Sequence, residues 1–271
     1  MRFTAWQILS KFNALEDLEL YINNPVDWTT ICSFSSLRHL KIFYGDISSL
    51  AGIEQCPHLE TLAILNNSKI TRIKDLRYLP SLKALHLSGA PVRDLSPLTI
   101  LQTLKILEWH ECPSEFYDPL RTLTKLEELD LYRAKVMNAL FLAPMTYLRI
   151  LNLEGTHITD IDPLAGLSQL QNLNLNWTFV QDLSPLEGLP NLKILELNGT
   201  TLKDLRPLTK IETLEEVSLI DAKVNDIQQL ALVPNLKYVH FRETNNPKFL
   251  EQLHVLQKVR PDIEVQLYPC I

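Results

Sequence analysis

The chain has 271 residues, is 46% hydrophobic and carries a formal net charge of −6. No apolar run approaches the ~18 residues needed to cross a bilayer, and an acidic balance without a basic stripe disfavours direct nucleic-acid binding. The seven glycines form no glycine-rich loop, which leaves no phosphate cradle.

The N-terminal stretch lacks the long apolar core and cleavage site of a leader. Its Phe3, Trp6, Leu9 and Phe12 recur every three residues. From Leu15 a second pattern takes over. The motif LxxLxL starts at Leu15, Leu37, Leu59, Leu82, Leu104, Leu126, Leu148, Leu170, Leu192, Leu214 and Leu236, always 22 residues apart except for one interval of 23 between Leu59 and Leu82. A period of that length with alternating leucines is the signature of a leucine-rich repeat solenoid.

In Leu126-Glu-Glu-Leu129-Asp-Leu131 the alternation turns Leu129 and Leu131 to one side of a short strand. Stacked repeats set such strands side by side in a parallel sheet. The return half of each repeat carries apolar residues every three positions, as in Ile158, Ile161, Leu164 and Leu167. That spacing suits 3₁₀ or irregular segments better than a long α-helix. The predicted fold is therefore α/β: a leucine-rich repeat solenoid with a parallel concave sheet and short convex segments. Its right hand follows from the crossover rule for parallel strands. The N-terminal threes match the return half, so residues 1–14 read as a half-repeat or cap. Eleven repeats over 15–257 follow in one continuous domain.

Two minor signals keep the same register. Ser96-Pro97, Asp118-Pro119, Asp162-Pro163 and Ser184-Pro185 read as the N-cap and first residue of short helical turns. The ninth repeat residue is small or polar (Asn67, Thr156, Thr178 and Thr200 among them), able to satisfy backbone groups where the strand turns. The extra residue of the long interval is expected within 66–69, as a bulge at the strand-to-return corner, since Ile70, Ile73, Leu76 and Leu79 resume the pattern one place late.

Near the C-terminus Phe249, Leu253, Leu256 and Val259, widened by Leu250, outline an amphipathic helix. Gln252 breaks the repeat register there. Pro261 ends the helix, and Ile263-Glu-Val265-Gln-Leu267 alternates like a last strand. Residues 258–271 read as a C-terminal cap, which a repeat array needs over its open core end.

The four cysteines, Cys32, Cys56, Cys112 and Cys270, include no CxxC pair. They read as packed, reduced thiols rather than a disulfide framework or zinc site, which points to a reducing, cytoplasmic home. His86, Glu108 and His110 fall on neighbouring strands, and two imidazoles with a carboxylate are a conceivable metal set. Ordinary surface residues form such trios easily, so no metal is assigned. No nucleophile stands beside a histidine and carboxylate in catalytic order, and the chain reads as a non-enzyme without cofactor.

Residues without a packing duty carry the functional reading. Tyr21, Phe43 and Tyr44 cluster on the first two strands. Glu108, His110, Asp130, Tyr132 and Arg133 follow mid-chain, then Glu154 and Trp177. Aromatics and arginine ringed by polar groups have the composition of a protein-recognition hot spot. Glu127-Glu128 and Glu215-Glu216 add acidity that would steer a basic partner.

Gly155-Thr156-His-Ile158-Thr-Asp160-Ile161-Asp-Pro163-Leu164 and Gly199-Thr200-Thr-Leu202-Lys-Asp204-Leu205-Arg-Pro207-Leu208 resemble the bacterial internalin-like class of leucine-rich repeat, over roughly residues 3–257. The resemblance implies the solenoid and a binding role, though such repeats serve many unrelated ones. Neither a signal peptide nor a wall anchor is read, unlike the secreted members of that class. The expectation is a non-enzymatic scaffold that binds a protein in its concave face, as an inhibitor or immunity-type protein. The alternative is the recognition domain of a larger secreted effector or multidomain sensor. The partner would be a protein of basic character, not nucleic acid or membrane. The location would be cytoplasmic, with delivery into a host cell left open.

Overall fold

The structure, a computed structural model, describes residues 14–22 and 26–269. Phe3, Trp6, Leu9, Phe12 and Cys270 lie outside them. The chain groups into two compact units, Met1–Lys135 and Val136–Ile271.

The first unit carries strands β1 (Asp17–Tyr21), β2 (His39–Phe43), β3 (Thr61–Leu65), β4 (Ala84–Ser88), β5 (Ile106–His110) and β6 (Glu128–Asp130). Each pairs in parallel with the next, in register one repeat apart: Leu40 with Leu62, Leu85 with Leu107, Leu107 with Leu129. The leucine between two outward residues is fully buried on every strand from β2 onward. A 22-residue period with parallel pairing puts each of these leucines on the one before it, so one core column runs through the unit.

The returns are short, as the spacing of three predicts: 3₁₀ turns at Lys74–Tyr78, Ser96–Ile100 and Asp118–Thr122. A four-residue α-helix, α1 (Trp28–Ile31), takes this place in an early repeat. The long interval between Leu59 and Leu82 is absorbed at the corner. Buried Asn67 donates from Nδ2 to the Gly45 carbonyl, and its Oδ1 accepts from the backbone N–H groups of Lys69 and Ile70, 3.0 Å each. Ile70, Ile73, Leu76 and Leu79 beyond it remain buried.

The second unit carries β7 (Ile150–Asn152), β8 (Asn172–Asn174), β9 (Ile194–Glu196), β10 (Glu216–Ser218) and β11 (Tyr238–Arg242), then helix α2 (Pro247–Val259) and β12 (Glu264–Tyr268). These six strands also pair in parallel, in chain order. Thr156 and Thr178 donate from their buried hydroxyls to the carbonyls of Leu153 and Leu175, 2.6 and 2.7 Å away, which is the backbone duty expected of the ninth position. Leu253 and Leu256 of α2 are buried and Phe249 packs edge-on against Phe241. Leu250 and Val259, expected in the same stripe, are exposed instead. Only one narrow face of the helix meets the core. Among the described residues no helix is long and apolar enough to cross a membrane.

Two local expectations are corrected. The residue before the proline is not the cap at Ser96, Asp162 and Ser184: it is the first residue of the turn, and the cap positions are Leu95, Ile161 and Leu183, which make no side-chain bond. The acceptor is an aspartate two residues upstream of the Ser or Asp. Asp94, Asp160 and Asp182 accept the N–H groups of Ser96, Asp162 and Ser184 at 2.8–2.9 Å, as Asx-turns do. The second correction is chemical. Cys32 and Cys56 form a disulfide with their Cα atoms 4.9 Å apart, while Cys112 is a buried free thiol. The two paired cysteines are 24 residues apart. That is close to one period, and stacking makes such residues neighbours.

Candidate recognition surfaces

Along each strand the third, fifth and seventh repeat residues face outward, and on the first unit they assemble one polar cluster. His86 on β4 stands in register with Glu108 on β5, and Nδ1 lies 2.6 Å from Oε2. The imidazole beside it holds the Glu108 carboxyl below the usual range, against the upward push of partial burial. Next along β5, His110 Nε2 lies 3.4 Å from Asp130 Oδ2. That is an ion-pair distance outside good hydrogen-bond geometry, and Nε2 is otherwise buried without a partner. Asp130 is the main reason that the His110 pKa is raised.

Tyr132 follows Asp130. Its ring meets the His110 imidazole edge-on with centroids 5.6 Å apart, and the Arg133 guanidinium lies over it at 5.0 Å. Asp130 Oδ1 accepts the Tyr132 N–H at 2.8 Å, which fixes the turn that carries the ring. The sequence-predicted Glu108, His110, Asp130, Tyr132 and Arg133 thus converge, and His86 joins them. No three His, Cys, Asp or Glu side chains converge as metal ligands among the described residues.

Tyr21 and Phe43 are brought together elsewhere. Their rings stack at 4.6 Å with 5° between planes on β1 and β2, and exposed Tyr44 follows Phe43. Two strands separate this pair from β5.

On the second unit, Glu154 accepts a hydrogen bond from Asn174 Nδ2 at 3.1 Å. Trp177 is 55% exposed, and its indole lies so close to Gly199 that a β-carbon there would overlap the ring. Phe179, two residues on, is 59% exposed with its ring 5.9 Å from His157. Phe179 was missed by the sequence reading, although an aromatic at the solvent-facing tenth position, where neighbouring repeats place His157 and Thr201, was a visible signal.

A further regularity links these residues. The eighth repeat position has positive φ in nine successive repeats: Tyr44, Asn66, Gly89, Glu111 and Arg133 on the first unit, Gly155, Trp177, Gly199 and Asp221 on the second, all between 54° and 72°. The left-handed region costs a non-glycine residue roughly 1–2 kcal/mol, and strain of this kind clusters where function constrains a chain. Tyr44, Arg133 and Trp177, singled out in the sequence as residues without a packing duty, all stand in it.

Residues 148–188 match the family model for leucine-rich repeats in two copies. An internalin (inlF) of Listeria monocytogenes superposes with a TM-score of 0.74 at 21% identity, over 99% of this chain and 85% of the other. Internalin C2 (inlC2) of the same organism is 32% identical, over 69% of this chain and 82% of its own, with a TM-score of 0.64. The chain belongs to the internalin-like leucine-rich repeat proteins.

The same architecture extends to a plant receptor. The ectodomain of GASSHO1/SCHENGEN3 from Arabidopsis thaliana, in complex with CASPARIAN STRIP INTEGRITY FACTOR 2, matches 96% of this internalin-like chain at 14% identity, over 36% of its own length, with a TM-score of 0.66. No curated protein sequence matches. Leucine-rich repeat proteins act generally as protein–protein interaction scaffolds and are typically non-enzymatic.

The acidity of this internalin-like surface is lower than a count suggests. Glu127 pairs with Lys105, Glu215 with Lys237, and Glu60 with both Arg38 and Lys83. Several asparagines are also structurally committed, since Asn152 and Asn174 accept the N–H groups of Glu154 and Asn176 at 2.9 Å. What remains unpaired by these bonds on the outward face is a short set of aromatic groups, among them Tyr44, Trp177 and Phe179.

Proposed function

We propose that the chain is a non-enzymatic recognition module that grips a partner protein on the concave face of its repeats. The observation that supports this best is Tyr132, half-exposed, with the His110 imidazole edge-on to its ring, the Arg133 guanidinium over it and its N–H bonded to Asp130. An aromatic anchor pre-ordered in this way loses little side-chain freedom on binding. Trp177, with Glu154 on the preceding repeat, is a second anchor on the other unit. The carboxylates favour a basic partner and speed its approach.

Such a module fits two settings, an inhibitor of the immunity type inside a cell and the recognition part of a larger exported effector or sensor. The Cys32–Cys56 disulfide supports the exported setting, because disulfides persist where thiols are not kept reduced. The experiment is a cross-linking capture of the partner, followed by affinity measurements on variants. Tyr132→Ala and Trp177→Ala should each cost roughly 2 kcal/mol or more of binding. Glu108→Lys and Asp130→Asn should slow association most at low salt. Unchanged affinity across the four variants would move the site off this face.

A further inference from the structure

The second unit holds a cleft of about 640 Å³ where the regular repeats give way to α2. Its origin is a missing backbone rung. In earlier repeats the segment after the strand bonds to its neighbour: Phe179 N–H donates to the Ile158 carbonyl and Lys203 N–H to that of Gln181, at 3.0–3.1 Å. At Lys223 this second ladder is still intact. Lys223 N–H donates to the Thr200 carbonyl at 2.8 Å, and its own carbonyl accepts from Leu202 N–H at 3.0 Å.

Both Lys223 groups point to one side, so in an extended segment those of Val224 turn to the other. That other side is the cleft. The chain which should lie there has turned away at Asn246, the N-cap of α2, and among the described residues Val224 N–H and C=O have no partner.

The side chain reports the same break. Val92, Val136, Ile158, Val180 and Leu202 occupy the corresponding return position and are buried, whereas Val224 is half-buried. It lies in the cleft with Phe241 and Phe249, packed edge to face at 5.2 Å. Lys223 and Lys248 stand at the rim, and no ion pair engages either ammonium among the described residues. Asp221 is tied to Arg242 at 2.7 Å, so even with Glu243 the charged lining keeps one net positive charge.

We propose that this cleft binds an extended peptide segment of a partner protein, which pairs with the Val224 backbone as an added strand and seats an apolar side chain against Val224 and Phe249. An acidic residue of the peptide would face Lys223 or Lys248. Strand addition of this kind takes its affinity from main-chain hydrogen bonds and its specificity from pockets for alternate side chains. The proposal is independent of the sheet-face site.

The test is selection of a phage-displayed library of random seven-residue peptides on the folded chain, followed by anisotropy titration of synthetic copies. Enriched peptides should share an apolar residue beside an acidic one. They should bind at least tenfold more weakly to a Lys223→Glu/Lys248→Glu variant, and equally well to Tyr132→Ala and Trp177→Ala. In NMR exchange measurements the Val224 amide should gain protection on peptide addition. Failure to enrich any peptide would overturn the proposal, as would enrichment lost in Trp177→Ala but kept in the lysine variant. Self-association of the chain abolished by the lysine changes would also overturn it, since the occupant would then be a second copy.

Discussion

The indole of Trp177 rests on Gly199 one repeat further along, so closely that a β-carbon on Gly199 would overlap the ring. Gly199 also has φ +68°, so it is required both by its own backbone and by its neighbour's side chain. Gly199→Ala should therefore cost more than Gly89→Ala. Gly89, at φ +72°, has only ordinary contacts around its missing β-carbon. The expected losses are about 1 kcal/mol for Gly89→Ala, the left-handed cost alone, and at least twice that for Gly199→Ala. Urea unfolding measures both. Trp28 and Trp109 are buried, so in a Trp6→Phe background acrylamide quenching should report the release of Trp177 in the Gly199 variant.

Asn67→Ala should destabilise the first unit by about 1–3 kcal/mol, because it orphans a buried carbonyl and two N–H groups at one corner. Ile73→Ala nearby, a plain core truncation, should cost about 2–5 kcal/mol. Equal stability of Asn67→Ala and wild type in urea melts would show that the corner is held by something else.

The disulfide gives a prediction with a redox readout. Closing a loop of 24 residues restricts the unfolded chain by about 3 kcal/mol in the loop-entropy account. Cys32→Ser, or added reductant, should lower the thermal midpoint of the wild-type chain, and reductant should leave that of Cys32→Ser unchanged. Thiol titration of the unfolded, non-reduced chain should find both cysteines protected.

His110 predicts a shallow pH dependence. Its folded pKa is raised above the ordinary 6.5, chiefly by Asp130, with Glu108 and Glu111 adding to it. The protonated ring therefore contributes stability that is full below about pH 6.5 and is lost as pH rises through the folded value. The group is more than a third exposed, so solvent screening limits the contribution to about 0.5 kcal/mol. Urea midpoints between pH 6 and 8 should fall more for the wild type than for His110→Gln.

The leucine lattice was legible in the sequence because every repeat restates it, so Leu107 and Leu129 could be placed before any coordinate was known. The Glu108–Tyr132 cluster was legible for the same reason: once the period is set, outward positions on adjacent strands are neighbours. The eighth-position φ was not legible, since Tyr, Glu, Arg and Trp occupy it as well as glycine and hide the backbone requirement. The Cys32–Cys56 pairing was not legible because no short cysteine spacing marks it; its only trace is a separation of 24 residues, near one period. The caps were misplaced because proline marks the turn, while the aspartate that closes it stands two residues before the preceding Ser or Asp.

The left-handed row has a consequence for how such a surface diversifies. Its φ stays in the left-handed region whether the side chain is absent, as at Gly155, or the largest available, as at Trp177. Except where a neighbouring side chain rests on the position, as Trp177 does on Gly199, a repeat of this row can carry a large side chain or none above the same leucines. A lineage can rewrite the surface chemistry one repeat at a time along this row, with glycine as the blank setting.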